Sequence, residues 1–388
     1  MHTFIATAAF GLEATVKREV ARLGFPIKGT SDGRIEFTGG FDAVPRANIW
    51  LRAADRVLMI MGEFTALSFD ELFEGTKALP WGDLITRDGK FTVVGKSVKS
   101  KLFSVPDCQA IVKKAVVEKL KLKYRQEYFE ESGAEFKIQV ALLRDRATIT
   151  VDTTGVGLHR RGYRPSAAGA PIKETMAAAL IELSFWKKDR VLFDPMCGSG
   201  TIPVEAALMA RNIAPGIRRR FAAEGWPQIP KELWTQVRED ARAKIDKGFK
   251  PQIFGADINA EAIRLARQNA ENAGVADCIE FAVRDINAQV LPADSGILIT
   301  NPPYGERSGL EHESHGIIKA MSSLANSKTS NKKPWSVYAI SADEDFERIY
   351  GKRADAKRKL FNGPIKTDYY QYYGDKPQRG DTPAFTPV

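Results

Sequence analysis

The sequence predicts an α/β fold for residues 173–388, preceded by two smaller α+β units in residues 1–155. From residue 173 onward, strand-forming runs alternate with helical runs, which is typical of a parallel sheet covered by helices. One strand in this region enters a glycine-rich loop, and another ends in two prolines. Because ligands of parallel α/β sheets lie beyond the carboxyl ends of the strands, both turns are candidate functional sites.

The composition is that of a globular protein. The chain has 388 residues, enough for two or three domains, with 44% hydrophobic and 27% charged residues. Charged residues closely follow the apolar N-terminus and no run of about 18 apolar residues occurs, so we expect neither a signal peptide nor a membrane span. Cys108, Cys197 and Cys278 are isolated, which argues against a disulfide framework and fits a reducing cytosol. The net charge of +9 favours a polyanionic partner.

Residues 1–60 are predicted to form a small α+β unit. Alternating and helical hydrophobic patterns follow each other at short spacing, and Asp32-Gly33 marks a turn. The predicted elements are a strand at 3–9, a helix at 12–23, a strand at 34–38 and a helix at 41–50. No acid–base cluster stands out in this unit.

Residues 61–155 are predicted to form a second α+β unit with a strongly basic stretch. Its predicted elements are helices at 69–76 and 106–123 and strands at 90–96, 135–142 and 147–152. Between Lys96 and Arg125 there are nine lysines or arginines and only two acids. Such a run is often a solvated helix face, but this asymmetry exceeds what solubility needs and favours phosphate contacts. The candidate contacts are Lys96, Lys99, Lys101, Lys113 and Lys114.

Residues 156–172 are predicted to be a basic linker into the α/β domain. The segment contains several glycines and prolines and no acid. Arg160, Arg161 and Arg164 either grip RNA phosphate or pin the linker to the protein. The sequence favours neither alternative.

Residues 173–388 are predicted to alternate strands and helices and to finish in a β-hairpin. The predicted strands are 191–195, 252–258, 278–285, 297–301 and 335–341, and the hairpin pairs 357–361 with 366–373. The predicted helices are 174–185, 202–211, 260–273, about 316–327 and 343–350. Residues 212–250 interrupt this pattern as a predicted helical insertion, which we expect to contact the substrate or another domain.

The glycine loop after the first strand predicts a cofactor site. Gly198 and Gly200 permit positive φ and a close backbone approach to a ligand. A dinucleotide loop would have a third glycine where this chain has Pro203, and Asp194 at the strand end would repel a pyrophosphate. The loop therefore favours S-adenosylmethionine over a nicotinamide cofactor. The candidate contacts in the loop are Asp194, Cys197, Gly198, Gly200 and Thr201.

Two further aspartates follow the next strands. Asp257 can accept from both ribose hydroxyls, and Asp285 can accept from the adenine amine. Ile258 and Ile286, directly after them, are predicted apolar walls. Each aspartate alone could instead cap a helix, but their places at the ends of successive strands favour the cofactor role.

The turn Asn301-Pro302-Pro303-Tyr304 is suited to presenting an amino group for alkylation. Proline cannot donate to a strand ladder, so the strand must stop at Asn301 and form a stiff corner. The Asn301 side-chain carbonyl and the Pro302 backbone carbonyl can accept from an –NH2, and the Tyr304 ring can stack on the base that carries it. Accepting the amine hydrogens stabilises the positive charge that develops during attack.

Asn-Pro-Pro-Tyr after a strand resembles the signature of S-adenosylmethionine-dependent amino-methyltransferases. Together with the glycine loop and the aspartates, the chain resembles bacterial THUMP-containing rRNA guanine-N2 methyltransferases. This resemblance implies a class I (Rossmann-like) methyltransferase with a seven-stranded sheet and a reversed last strand, and a ferredoxin-like unit and a THUMP RNA-binding module before it. It also implies that Asn301 contacts the cofactor, and that Glu174 helps to close the cofactor pocket.

The resemblance implies methylation of the N2 amine of a guanosine, most often in large-subunit rRNA, by a cytoplasmic enzyme. The alternatives are a tRNA guanine-N2 methyltransferase, a DNA adenine-N6 methyltransferase, and a non-catalytic RNA-binding or ribosome-assembly factor. His312 and His315 have helical spacing but lack a third ligand, so we expect no metal. The sequence leaves the oligomeric state open.

Overall fold

The structure is a computed structural model that describes residues 1–164, 172–303, 311–326 and 335–374. Within these ranges the chain forms two seven-stranded sheets, the first from residues 1–155 and the second from residues 173 onward. No helix in this part of the chain is both long and apolar enough to cross a bilayer.

The first sheet is mostly antiparallel and carries helices on its surface. Its elements are β1 (His2–Thr7), α1 (Glu13–Arg22), β2 (Ile27–Ser31), β3 (Arg34–Gly39), α2 (Ala43–Trp50), β4 (Arg56–Thr65), α3 (Phe69–Lys77), α4 (Trp81–Leu84), β5 (Lys90–Val98), α5 (Val105–Tyr124), β6 (Glu135–Leu143) and β7 (Arg146–Asp152). The strand order is β2-β3-β1-β4-β7-β6-β5, and β5 runs parallel to β6. The predicted elements are present, while β2, β4 and α4 are additions.

Strand β4 links the two predicted units of the N-terminal half. It is antiparallel to β1 on one side and to β7 on the other, so it lies at the centre of the sheet. The predicted boundary at residue 60 falls inside this strand. The units 1–60 and 61–155 therefore share one hydrogen-bonded sheet, because β4 needs partners from both.

The second sheet has the predicted class I topology. Its elements are α6 (Glu174–Leu183), β8 (Leu192–Asp194), α7 (Thr201–Ala210), α8 (Lys231–Ala243), β9 (Ile253–Asp257), α9 (Ala260–Ala273), β10 (Ile279–Val283), β11 (Ile297–Thr300), α10 (Glu311–Ala325), β12 (Ser336–Ser341), α11 (Phe346–Tyr350), β13 (Ala356–Asn362) and β14 (Ile365–Tyr372). The order is β10-β9-β8-β11-β12-β14-β13. The first five strands are parallel and β14 is antiparallel to β12, which confirms the predicted reversed last strand.

Local sequence explains the helix that follows β9. The Asn259 side chain accepts hydrogen bonds from the backbone N–H groups of Glu261 and Ala262, which satisfies donors that the first turn leaves free. Gly274 ends the helix at φ +75°, a left-handed conformation that glycine adopts without a Cβ clash. Because Asn259 caps the helix, Asp257 is left for another role.

The predicted insertion contacts the first sheet. It contains a 3-10 turn (Ala222–Gly225) and α8, as expected from its helical pattern. The indole of Trp226 stacks on the Phe136 ring with centroids 5.1 Å apart, and its Nε1 donates to the Glu135 carbonyl at 3.1 Å. Of the two predicted roles, the structure shows the contact between domains.

Candidate active site

Four predicted polar side chains meet at one edge of the second sheet. Asp194 ends β8 and Asp257 ends β9, while Asp285 follows β10 and Asn301 follows β11. These four strands are adjacent and parallel, so their carboxyl ends lie side by side. The parallel pairing therefore brings together residues that are up to about a hundred positions apart in the chain.

The glycine loop is held against the end of β9. Gly198 N donates to Asp257 Oδ2 at 2.9 Å, and Cys197 N donates to the Ala256 carbonyl at 2.8 Å. Gly198 and Gly200 have φ of +52° and +80°, so both need the left-handed region. A Cβ on Gly200 would lie 2.9 Å from Ala266 Cβ, whereas one on Gly198 would meet no described atom within 4 Å. The loop thus packs against α9 at Gly200 and leaves space at Gly198.

Asp194 is a buried carboxyl group with few compensating contacts. Its Oδ1 accepts from Thr300 Oγ1 at 2.7 Å and from Met196 N at 3.2 Å. Burial raises the pKa of Asp194 to about 7, and the hydrogen bonds from Thr300 and Met196 offset only part of that rise. Thr300, the residue directly before Asn301, therefore links the end of β11 to the end of β8.

Asp257 and Asp285 have different hydrogen-bond partners. Asp257 accepts from Gly198 N with one oxygen and from Asn259 N with the other, both at 2.9 Å. Asp285 uses Oδ1 to cap the short turn after β10, accepting from Asn287 N at 2.7 Å. Both carboxyl groups remain partly exposed at the edge of the sheet. They can accept further hydrogen bonds, because a carboxylate has about four lone-pair sites.

The apolar residues after these aspartates also differ. Ile286 is buried, whereas Ile258 is 68% exposed. Ile258 is thus an exposed apolar residue beside two acidic strand ends. Both residues flank the same edge of the sheet, as the sequence predicts.

Asn301 is positioned by the abrupt end of β11. Pro302 is buried and Pro303 is exposed. The Asn301 Oδ1 atom is buried and accepts no hydrogen bond from any described residue. A buried amide oxygen without a donor is costly, so it marks a place where a donor from a ligand is expected. Tyr304 lies outside the described residues.

The three linker arginines have different surroundings. Arg161 is buried, donates to the carbonyls of Leu158 and Arg52, and lies 3.5 Å from Glu205 Oε1. Arg164 makes a two-point ion pair with the Glu174 carboxylate, at 2.6 and 3.0 Å. Of the two alternatives that the sequence left open, these contacts match pinning of the linker, because Glu205 and Glu174 pair with the two arginines. Arg160 is exposed.

Glu174 is placed near the cofactor loop through its arginine partner. It is buried at the start of α6, and burial raises its pKa while Arg164 lowers it. Arg164 also donates from Nη1 to Thr201 Oγ1 at 3.2 Å. The Glu174 carboxylate thus fixes an arginine against the first residue of α7.

The five predicted phosphate-contacting lysines are exposed but lie in two groups. Lys96, Lys99 and Lys101 lie at the carboxyl end of β5 and in the loop after it. Lys113 Nζ lies 6.0 Å from the centre of the Phe91 ring at the start of β5, and Lys114 Nζ lies 5.8 Å from the Phe73 ring. Since β5 rises about 3.3 Å per residue, the groups are roughly 20 Å apart.

Two residues near the site carry no sequence signal. Thr300 holds Asp194, but a threonine in a strand is common. Gln289 Nε2 donates to the carbonyls of Pro195 at 2.9 Å and Arg284 at 3.2 Å, so it joins the loops after β8 and β10. Its backbone follows a 3-10 turn that nothing in the local sequence marks as special.

The three cysteines lie in the interior of the protein. Cys108, Cys197 and Cys278 are buried and free, and burial raises the pKa of Cys197. In residues 1–164, 172–303, 311–326 and 335–374, no three His, Cys, Asp or Glu side chains are arranged to hold a metal ion.

Three family models match successive parts of the chain. Residues 3–58 match the RlmL ferredoxin-like domain, residues 66–152 match the THUMP domain, and residues 161–371 match the RMKL-like methyltransferase domain. The last match covers the second sheet and all four strand-end residues.

Curated relatives match nearly the whole of this chain. "Putative RNA methyltransferase YpsC" of Bacillus subtilis (strain 168) is 48% identical over 384 residues, 98% of each chain. "Ribosomal RNA large subunit methyltransferase K/L" of Shewanella baltica (strain OS155 / ATCC BAA-1091) is 32% identical over 99% of this chain and 55% of that protein. This chain therefore spans about half the length of the K/L relatives.

Solved structures agree with the fold. "A predicted N6-adenine-specific DNA methylase" from Listeria monocytogenes str. 4b F2365 is 48% identical with a TM-score of 0.91, covering 96% of each chain. "SMU.472, a putative methyltransferase complexed with SAH" is 40% identical with a TM-score of 0.91, covering 97% of this chain and 99% of that one. The chain belongs to the RMKL-like family of S-adenosylmethionine-dependent methyltransferases, and carries a ferredoxin-like domain and a THUMP domain before the catalytic domain.

Proposed function

We propose that this methyltransferase transfers a methyl group to the exocyclic N2 amine of a guanosine in large-subunit ribosomal RNA. The observation that carries the proposal is the buried Asn301 Oδ1, which accepts no hydrogen bond from a described residue. It lies one residue after Thr300, whose hydroxyl is bonded to Asp194. The corner thus offers an acceptor beside the predicted cofactor loop.

An acceptor is what this chemistry needs. The amine of a base is a weak nucleophile because its lone pair is conjugated with the ring. When Asn301 Oδ1 accepts one of its hydrogens, the lone pair is drawn out of conjugation and the developing positive charge is stabilised. The chain also positions the amine close to the methyl donor, which lowers the entropic part of the barrier.

The residues at the strand ends fit S-adenosylmethionine. The cofactor supplies an electrophilic methyl group on a sulfonium centre. Asp257 would accept from the ribose hydroxyls and Asp285 from the adenine amine, with Ile258 and Ile286 against the adenine ring. Gly198, Gly200 and Asp194 would hold the methionine end, with Cys197 and Thr201 in the same loop. The free space at Gly198 and the exposed Ile258 agree with this assignment.

RNA is favoured over DNA by the N-terminal half. The THUMP match and the exposed lysines give the chain a basic surface outside the catalytic domain. Among its relatives, the K/L proteins are named for large-subunit ribosomal RNA, whereas the Listeria monocytogenes structure is named for DNA adenine. The choice of guanosine rests on the family resemblance, because the corner accepts from any exocyclic amine.

The reaction is tested by labelling. The protein is incubated with labelled S-adenosylmethionine and total RNA from a strain that lacks the gene, followed by nucleoside analysis of separated rRNA and tRNA. We expect N2-methylguanosine in large-subunit rRNA. Label in tRNA instead of rRNA would change the assigned RNA substrate, and the absence of label from all RNA would overturn the proposal.

The corner is tested by Asn301→Ala. Loss of the acceptor should lower turnover by roughly 100-fold, as removal of one polar group from a charge-stabilising site does elsewhere. Cofactor affinity, measured by calorimetry, should change little. The control is Asn326→Ala, since Asn326 is exposed and, among the described residues, its side chain bonds to Ser322 of α10. Equal turnover in the two variants would contradict the assigned role of Asn301.

A further inference from the structure

The loop between β5 and α5 displays an exposed phenyl ring. Phe103 is 83% exposed, and Val98 and Leu143 nearby are 49% and 54% exposed. Val98 and Leu143 are paired in register at the ends of β5 and β6. Single exposed apolar residues are common, but three at one end of a sheet are unusual and indicate a contact surface. We name these three residues the sheet-end patch.

The loop is ordered rather than loose. Lys101 N donates to Asp145 Oδ1 at 2.7 Å, and Asp145 N in turn donates to Ser100 Oγ at 3.0 Å. Ser97 Oγ donates to the Leu102 carbonyl at 2.6 Å, and the Leu102 side chain is buried in the core. With its neighbour anchored, Phe103 is held outward at little further entropic cost on binding.

Cations surround the sheet-end patch. Lys96, Lys99, Lys101 and Arg144 are exposed, and residues 96–104 contain no acid. The one carboxylate in the adjoining turn, Asp145, already accepts from the Lys101 backbone. An apolar ring among cations that have no acidic partner within the described residues is complementary to a base flanked by phosphates, whereas an apolar protein partner would leave these charges uncompensated.

We propose that Phe103 is a stacking platform for an unpaired base of the RNA substrate, with Lys99, Lys101 and Arg144 on the flanking phosphates. The ligand class is a single-stranded or looped segment, since a base inside a duplex has no free face. The proposal rests on the proposed function and extends it to a second RNA contact outside the catalytic domain. Stacking on Phe103 would require an unpaired base, whereas the lysines alone would bind any RNA phosphate.

Binding of two RNA probes tests this proposal. One is a hairpin with an unpaired loop, and the other is a fully paired duplex of the same length, each measured by fluorescence anisotropy. Phe103→Ala should weaken hairpin binding by about 5- to 100-fold and leave duplex binding unchanged. Phe103→Trp should restore affinity, because it keeps a flat ring. Phe103→Leu should not, because it is apolar without a π-face.

The matched control is Tyr128→Ala. Tyr128 is an aromatic residue of the same domain and is 79% exposed, but Glu127, Glu130 and Glu131 surround it in sequence. We expect its variant to bind like the wild type. Wild-type affinity of Phe103→Ala for the hairpin, or full affinity of Phe103→Leu, would overturn the stacking role.

The two proposals fail separately. If the wild type methylates RNA while Phe103→Ala binds normally, the stacking role is wrong and the proposed function stands. If the wild type methylates no RNA, the proposed function is wrong whatever Phe103 does. Cofactor affinity of Phe103→Ala should match the wild type, which confirms that the variant is folded.

Discussion

Asp194 is a deeply buried acid whose charged form has little compensation. The fold leaves it 2% exposed, with Thr300 and Met196 as its hydrogen-bond donors. Taking a carboxylate out of water costs free energy that two hydrogen bonds do not fully offset. Positively charged groups of a bound cofactor would supply the missing compensation. We therefore expect Asp194 to lower the stability of the free protein and to contribute to cofactor binding.

Asp194→Asn should make the protein more stable at neutral pH. The pKa of Asp194 rises from its ordinary value near 4 to about 7 in the folded state, so the folded protein holds a proton that the unfolded chain releases. Its contribution therefore favours folding at low pH and is lost as pH rises from 4 to 7. The melting temperature of the variant should exceed that of the wild type by an amount that grows across this range and then levels off.

Comparing the melting temperatures of Asp194→Asn and the wild type separates the effect of Asp194 from that of other buried acids. Burial also raises the pKa of Glu19, to about 8, but Glu19 is the same in both proteins. Asp189→Asn, at an exposed site, is the control and should show no such trend. The same Asp194→Asn variant should bind S-adenosylmethionine more weakly. A pH-independent difference in melting temperature would contradict the proposed free-energy cost of burying the Asp194 carboxylate.

Sequence reasoning located the site residues that depend only on where strands end. Asp194 and Asn301 follow apolar runs, and their neighbours in space follow from parallel pairing. It left two roles open for Arg161 and Arg164, because a basic run does not reveal that Glu205 and Glu174 pair with them. It also missed Phe103, since exposure of an apolar residue is a tertiary property.

At the scale of elements, the loop between β1 and α1 docks on the terminal hairpin. Gly11 has φ +89°, and a Cβ there would lie 2.4 Å from the Lys359 carbonyl oxygen. Arg358 Nη1 donates to the Gly11 carbonyl at 3.2 Å, and the Phe10 and Phe361 rings are 5.9 Å apart. Glycine is needed here for both its conformation and its size.

Gly11→Ala should destabilise the protein more than Gly24→Ala. Both positions have strongly positive φ, +89° and +81°, so both variants suffer backbone strain of about 1 kcal/mol or more. A Cβ on Gly24 meets no described atom within 4 Å, whereas a Cβ on Gly11 collides with the Lys359 backbone. Urea denaturation should place the Gly11 variant roughly 1–3 kcal/mol below the Gly24 variant. Equal losses of stability in the two variants would show that the contact between Gly11 and the Lys359 backbone is not tight.

On the scale of the whole molecule, the two sheets are joined at several points. Arg52 Nη2 donates to the Ile213 carbonyl at 2.7 Å, and Gln228 Nε2 donates to the Leu84 carbonyl at 2.8 Å. Together with Trp226 on Phe136, these contacts fix the basic surface of the first sheet relative to the catalytic edge of the second. RNA contacts far from the reacting base would therefore help to position it.

Neutralising Lys99, Lys101 and Lys114 together as glutamines should weaken RNA binding and flatten its salt dependence. Each lost phosphate contact should reduce the slope of log K against log salt by about 0.7 on single strands, or about 2 for three contacts. A triple variant of Lys17, Lys28 and Lys187, which are exposed elsewhere, is the control. An unaltered slope in the first variant would exclude these lysines as the RNA surface.

The organisation of the first sheet was not predictable from local pattern. The first residues of β4 fall in the predicted unit 1–60, and its last residues fall in the predicted unit 61–155. Its partners β1 and β7 are separated by most of the domain, so their pairing is a long-range property. The second sheet was predictable because its strands and helices alternate in chain order.

The central place of β4 has a consequence for synthesis. Strand β4 emerges from the ribosome with β1 ready to pair, but β7 follows only when the chain has been extended to Asp152. At about 5–20 residues per second, one edge of β4 waits on the order of ten seconds with its donors and acceptors unpaired. The nascent chain is then most open to aggregation, and a chaperone would protect it best during that interval.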